Sequence, residues 1–246
     1  MPYNALIVPF AYFFYHNMDK PTGAKQKYLQ DYFWRCALSG RFSSSVETKL
    51  GQDVKRIDAI LNEELPKYDW TIDISEEGII NHGWFSAGRS YIKAILCIYA
   101  YQQPKSFNDG SLVNISNYWL KQANSKNYHH FFPKAYLAKQ NTDFFHVNHI
   151  ANITIVDDFL NKREIGAKSP AVYMRKFIKQ NEDIETTMKS HLINDLEAFG
   201  ILENDYDRFF EKRIIAIHKE LKKRIILQDS DEITNVSLPS NEDTVE

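Results

Sequence analysis

Apolar and aromatic side chains recur at helical spacing over most of the first hundred residues, and this periodicity points to a mainly α-helical fold. From Gln26 to Leu38 the apolar positions are Tyr28, Leu29, Tyr32, Phe33 and Cys36, one face of a 3.6-residue period. Ser39-Gly40 ends that run. Ser44 stands three residues before Glu47, a capping-box pattern, and the helix it opens should reach about Leu65. Leu50, Val54, Ile57, Ile60 and Leu61 would lie on one face. Ser86 to Tyr101 reads as another apolar helix closed by Pro104. Ala5 to Tyr15 lacks a basic leader, is too short to span a bilayer, and reads as a first buried helix.

The pattern then changes. Residues 104–127 are loop-rich, with Asn, Ser, Gly and Asp clustered between Ser106 and Ser111. Asn127–Phe132 and Ile150–Val156 are short and β-like, and Asp157–Ile165 looks like a helix start. Helices are expected again over Ala171–Gln180, Ile184–Phe199 and Asp205–Leu227. From Gln228 onward the composition turns to Ser, Asp, Asn, Thr and Glu, as in a disordered tail. The expected fold class is mainly α (α+β): a helical region over 1–115, a small ββα core over 116–180, C-terminal helices over 181–227 and a tail over 228–246.

The chain has 246 residues, 43% of them hydrophobic, which suits a soluble globular protein with a sizeable core. Cys36 and Cys97 form no CxxC pair. They read as reduced, buried thiols of a cytoplasmic protein, with a single disulfide as the alternative. No GxxxxGK[ST] stretch is present, which leaves P-loop nucleotide hydrolysis without support. Net charge is −2, but it is unevenly spread. Residues 118–179 carry 10 basic and 4 acidic side chains, a net of +6, whereas residues 180–246 carry a net of −8. A local basic excess is what attracts phosphate.

That basic window holds the pattern with the most chemistry in it. Tyr128-His129-His130-Phe131-Phe132-Pro133-Lys134 is followed by Asn152-Ile153-Thr154-Ile155 and by Asn161-Lys162-Arg163. Phosphodiester hydrolysis requires deprotonation of a water, neutralisation of the phosphate and stabilisation of the leaving oxygen. A histidine near neutral pH can take the proton, and an ion such as Mg²⁺, which keeps several waters, needs only one or two protein groups. On a strand, adjacent histidines point to opposite faces, so a bend in the hairpin must bring both to one cleft. His146 and His149, three apart, are either extra ligands or histidines packed against the core, and the latter is favoured.

With the stretches Tyr128–Leu137, Ile150–Ile155, Asn161–Ile165 and Ser169-Pro170, the segment resembles an HNH (His-Me finger, ββα-metal) nuclease. Within that group it is similar to the C-terminal half of GmrSD-type restriction endonucleases, which act against phage and modified DNA. Asp31–Ser45 is similar to the helical region that precedes the core in that family, and the likeness covers about residues 5–180. The resemblance implies that His130 is the general base and Asn152 the central asparagine bracing the site. It also implies that His129 and Asn161 are the metal ligands, in an oxygen-leaning site that favours Mg²⁺ or Mn²⁺ over Zn²⁺. Lys134, Lys162 and Arg163 are candidate phosphate contacts. The gap from His130 to Asn152 is longer than in the smallest HNH domains. The Asp-Gly-Gln-Gln-Arg motif of the family's nucleotide-sensing ParB-like domain does not occur in these residues; the chain reads as a fragment, a split-gene product or a truncated relative, and a ParB-like domain or subunit in trans is the implied partner. The implied function is a metal-dependent endonuclease acting on DNA in phage defence, with no membrane partner. The alternative is an inactive, truncated relative that serves as a helical partner-binding subunit.

Overall fold

The computed structural model describes residues 1–115, 128–156, 160–229 and 231, with the backbone alone for 160–162. It is mainly helical with one small antiparallel sheet. In chain order the elements are α1 (Ile7–His16), α2 (Gly23–Leu38), α3 (Val46–Leu61), α4 (Glu76–His82), α5 (Ser90–Tyr101), β1 (Tyr128–His130), α6 (Lys134–Ala138), α7 (Phe144–Val147), β2 (Ile153–Ile155), α8 (Pro170–Gln180), α9 (Ile184–Lys189) and α10 (Tyr206–Lys222). A π-helical turn covers Leu160–Ile165. Both cysteines are free, Cys36 buried and Cys97 half-buried. No described helix is long and apolar enough to cross a membrane.

Two apolar clusters form the interior. The smaller joins α1, α2 and α3 through Leu6, Phe13, Leu29, Tyr32, Cys36, Ile57 and Ile60. Asp53 sits beside it, fully buried. It accepts hydrogen bonds from the Tyr32 hydroxyl (2.8 Å) and the Arg41 and Arg56 guanidiniums, so the buried carboxylate is paired on several sides, as burial requires. Arg35 forms a similar network with Asp31 at 3.0 Å and with Asp231. The larger cluster runs from Trp34 and Ala37 through α5, both strands, α8 and α10 to Ile225. The hairpin is therefore packed among helices drawn from both ends of the described chain.

Several boundaries differ from the sequence reading, each for a local reason. The first helix is not buried as a whole. Leu6, Pro9 and Phe13 turn inward against α3, while Ile7, Val8 and Tyr15 are 57%, 52% and 77% exposed. Ser44 does not cap α3. The N-cap is Ser45, left-handed at φ 51°, with no side-chain capping bond, because the turn Arg41–Ser43 abuts the helix. The same helix stops at Leu61 rather than near Leu65. Glu63 adopts φ 61°, and its N–H and that of Glu64 bond back to Ile60 and Ala59 (3.0 and 2.8 Å), the Schellman arrangement. The helix expected from Ser86 begins at Ser90 after a turn closed by Arg89 N–H to Ser86 O (3.0 Å). The expected helix Ile184–Phe199 ends at Lys189. There the Ser190 hydroxyl takes the Thr187 carbonyl (2.6 Å) and Leu192 adopts φ 58°, so side-chain bonding competes with the helix ladder. The last helix ends at Lys222, and beyond it Ile226 N–H reaches Asp31 (2.8 Å). The described chain continues into the expected tail, because Asp231 pairs with Arg35. Residues 232–246 lie outside the described residues, as do Asn127 and Asp157–Phe159.

Candidate active site

β1 and β2 pair antiparallel with Tyr128 opposite Ile155, His129 opposite Thr154 and His130 opposite Ile153. Both strands are shorter than expected. Ile150–Asn152 forms a 3-10 turn because the His149 imidazole Nδ1 accepts the Ala151 N–H (3.1 Å) and caps it. Directly after β1, Phe131 and Phe132 plunge into the core, where Phe131 stacks on Phe209 of α10 at 4.8 Å and Phe132 meets Tyr206 at 5.1 Å. The pair anchors the turn that Pro133 leads into α6.

Asn152 is fully buried and uses every polar atom of its amide. Its Oδ1 accepts the Phe132 N–H (2.8 Å), and its Nδ2 donates to Phe132 O (3.0 Å) and Val147 O (3.1 Å). One side chain thus ties the exit of β1 to the end of α7 in the long connecting loop. Its own carbonyl accepts the Phe131 N–H (2.7 Å).

His130 is half-buried, and its Nε2 lies 3.1 Å from Asn148 Oδ1. The tautomer follows from the next bond out. Asn148 Nδ2 donates to Phe85 O (3.1 Å), while Asn148 O accepts Phe85 N–H (2.9 Å). The amide therefore presents its oxygen to the ring, Nε2 carries the hydrogen, and Nδ1 keeps the lone pair. Burial first, then the Lys134 charge and that of His129, pushes the imidazole pKa down to about 4 against the opposing Asn148 bond. The ring is neutral at neutral pH. Sequence reasoning missed Asn148, and nothing in the local composition marks it out; the pairing exists only because the segment Trp84-Phe85 runs beside Asn148-His149, with Trp84 bridged to His149.

His129, the central residue of β1, is buried, with its carbonyl accepting the Thr154 hydroxyl (3.3 Å). It stands near enough for its charge to be felt at His130. Asn161 and Lys162 lie in the turn Leu160–Ile165, and their side chains are outside the described residues. Arg163 is exposed on the same turn, and Lys134 is exposed at the first position of α6. Among the described residues, no three His, Cys, Asp or Glu side chains converge as a metal cluster. By residue type, an imidazole nitrogen from His129 and an amide oxygen from Asn161 would suit a cation that keeps most of its waters; the side chain of Asn161 lies outside the described residues.

His146 and His149 do not share a ligand position. His146 pairs with Asp143 at 2.9 Å on the surface. His149 is fully buried, and its Nε2 faces Ile80 O (3.1 Å) and Ile79 O (3.3 Å). A Cβ at Gly83 would stand 1.8 Å from that nitrogen, so only glycine fits beneath the ring.

The back of the hairpin is held by three helices. Tyr99 of α5 donates to Ile150 O (3.0 Å), Tyr173 of α8 to Phe131 O (2.6 Å) and Tyr206 of α10 to His146 O (2.6 Å). Arg213, also in α10 and fully buried, donates to Ala151 O and Ile153 O (each 3.0 Å) and to His191 O, with its guanidinium 4.7 Å from the Tyr99 ring. These donors replace the pairing that a two-stranded sheet cannot supply for itself.

Burial also sets a pH dependence. His149 and His191 are both pushed down to about 4, chiefly by desolvation, with the charges of His146 and Arg213 acting in the same sense. Because the folded pKa lies below the unfolded value of about 6.5, the neutral rings contribute their full stability above pH 6.5. That stability is lost as pH falls towards 4, on the order of 3 kcal/mol for each ring. The melting temperature should therefore decline between about pH 6.5 and 4.5, and a flat profile over that range would contradict it.

No family model matches the chain, and no solved structure matches it. An uncharacterized protein of Methanocaldococcus jannaschii is 26% identical over 249 residues, covering 92% of this chain. The chain spans 40% of that relative's length.

Proposed function

We propose that the chain is a metal-dependent endonuclease of the HNH type that hydrolyses phosphodiester bonds in DNA, with foreign DNA in phage defence as its target. The observation that carries this reading is the His130 imidazole, neutral and held by Asn148 so that Nδ1 presents a lone pair at the end of a braced two-stranded hairpin. In this role His130 takes the proton of the attacking water at Nδ1. Arrival of an anionic phosphate offsets the depressing charge of Lys134 and raises the proton affinity of the ring when it is needed. Asn152 keeps the strand and the loop in register, and Asn148 keeps the ring in one tautomer. His129 and Asn161 would hold Mg²⁺ or Mn²⁺, which when bound supplies Lewis-acid stabilisation of the phosphate and leaving oxygen. Lys134, Lys162 and Arg163 would neutralise the flanking backbone. A nucleotide-sensing ParB-like partner in trans belongs to the same proposal.

The test is plasmid cleavage by the purified chain with Mg²⁺ or Mn²⁺ and with EDTA. Cutting that EDTA abolishes is the expected result. Asn148→Ala should lower the rate about 10- to 100-fold, the usual cost of losing an orienting partner, with folding unchanged by circular dichroism. An undiminished rate in that variant would show that the tautomer lock is dispensable. The exposed apolar side of α1, with Ile7, Val8 and Tyr15 outward, favours a second reading, a helical subunit that binds a partner and cleaves nothing. Such a subunit should bind Mn²⁺ poorly.

A further inference from the structure

An aromatic cluster lies beside His130 without entering the core. Phe144, at the start of the four-residue α7, is 65% exposed. Its ring centroid is 5.2 Å from that of Trp84, and the Phe145 ring stacks on Trp84 at 6.0 Å and 26°. Trp84 and Phe145 are themselves half-buried. The cluster is continuous with the site. Trp84 bridges to His149, and the next residue along, Phe85, exchanges hydrogen bonds with Asn148, which holds His130. A cation flanks it: Arg89, whose guanidinium bonds Trp84 O at 3.2 Å.

We propose that Trp84, Phe144 and Phe145 are a stacking platform for a nucleobase that has left its duplex, so that the strand engaged at His130 is single-stranded or locally unpaired. This rests on the nuclease reading and names its substrate. Flat aromatic faces beside phosphate-binding cations are the two elements of sequence-tolerant single-strand binding. A base inside a duplex is already stacked on both sides and cannot reach an exposed ring; only an extruded or unpaired base can. The open face of Phe144 has a function in this arrangement, since α7 turns only Val147 fully inward.

The experiment is fluorescence anisotropy of labelled single-stranded and blunt duplex oligonucleotides of one sequence, with the full chain in EDTA so that nothing is cut. The wild type should bind the single strand more tightly. Phe144→Ala should weaken that binding about 5- to 150-fold, and Phe144→Trp should restore it; melting curves of both variants establish that they fold. Equal affinity for the duplex, an unaffected Phe144→Ala, no binding by the wild type, or a Phe144-dependent dimer in sedimentation would each overturn the platform. The two readings fail separately. Metal-dependent cleavage with an unaffected Phe144→Ala removes the platform and keeps the nuclease. Phe144-dependent single-strand binding without cleavage under any metal does the reverse.

Discussion

Metal-dependent cleavage should fall by about 10²- to 10⁴-fold when His130 is replaced by alanine, the usual contribution of a positioned general base. The replacement removes one hydrogen bond, to Asn148 Oδ1, and one half-buried ring at the end of β1. The supports of the hairpin do not pass through it. Asn152 ties Phe132 to Val147, and the Phe131 N–H to Asn152 O bond belongs to the backbone. Helical content and the melting transition should therefore survive. His130→Gln, which keeps a polar side chain but has no comparable proton acceptor, should be as inactive as alanine. Full activity in either variant would remove His130 from the mechanism and, with it, the HNH assignment.

Arg213→Met should be the most damaging single change to stability. The guanidinium is the shared donor for Ala151 O, Ile153 O and His191 O. Methionine fills much of the volume but donates nothing, so three buried carbonyls lose their partner at about 1–3 kcal/mol each. The cost is partly offset, because burial already holds the guanidinium pKa below its ordinary value and that desolvation is relieved. A net loss of about 3 kcal/mol or more is expected, which lowers the melting temperature by about 6–12 °C for a chain of this size. Since Arg213 grips both sides of Asn152, cleavage should fall as well, well below the melting transition. A melting temperature within about 1 °C of the wild type would show that the carbonyls find other donors.

The residues that could be read from sequence are those whose role is local. Periodicity placed α2, α5, α8 and α10 near their observed positions, because an amphipathic face is written every three or four residues. The two short apolar runs around His130 and Ile153 likewise read as strands. The errors fell where a boundary depends on what lies outside it. Ser45 rather than Ser44 heads α3 because a 3-10 turn precedes it, and α9 stops at Lys189 because Ser190 and Leu192 answer to their own turn. The half-exposed α1 shows the same limit in another form. Its composition is apolar almost throughout, but only Leu6, Pro9 and Phe13 are fully buried, with Phe10 and Tyr12 half-buried against the same cluster.

At the site the division is sharper. By itself the sequence determined a mainly helical chain with a paired histidine, a following asparagine and a local basic excess, since each is a matter of residue identity and short-range spacing. Only the tertiary structure decided that Asn148 selects the tautomer of His130, and that Phe85, Tyr99, Tyr173, Tyr206 and Arg213 hold the hairpin from four separate segments. Those contacts join residues up to 63 positions apart, as between Phe85 and Asn148. No spacing rule encodes them, because a hydrogen bond across a core depends on where packed helices place a donor, and that is settled by the burial of the whole chain.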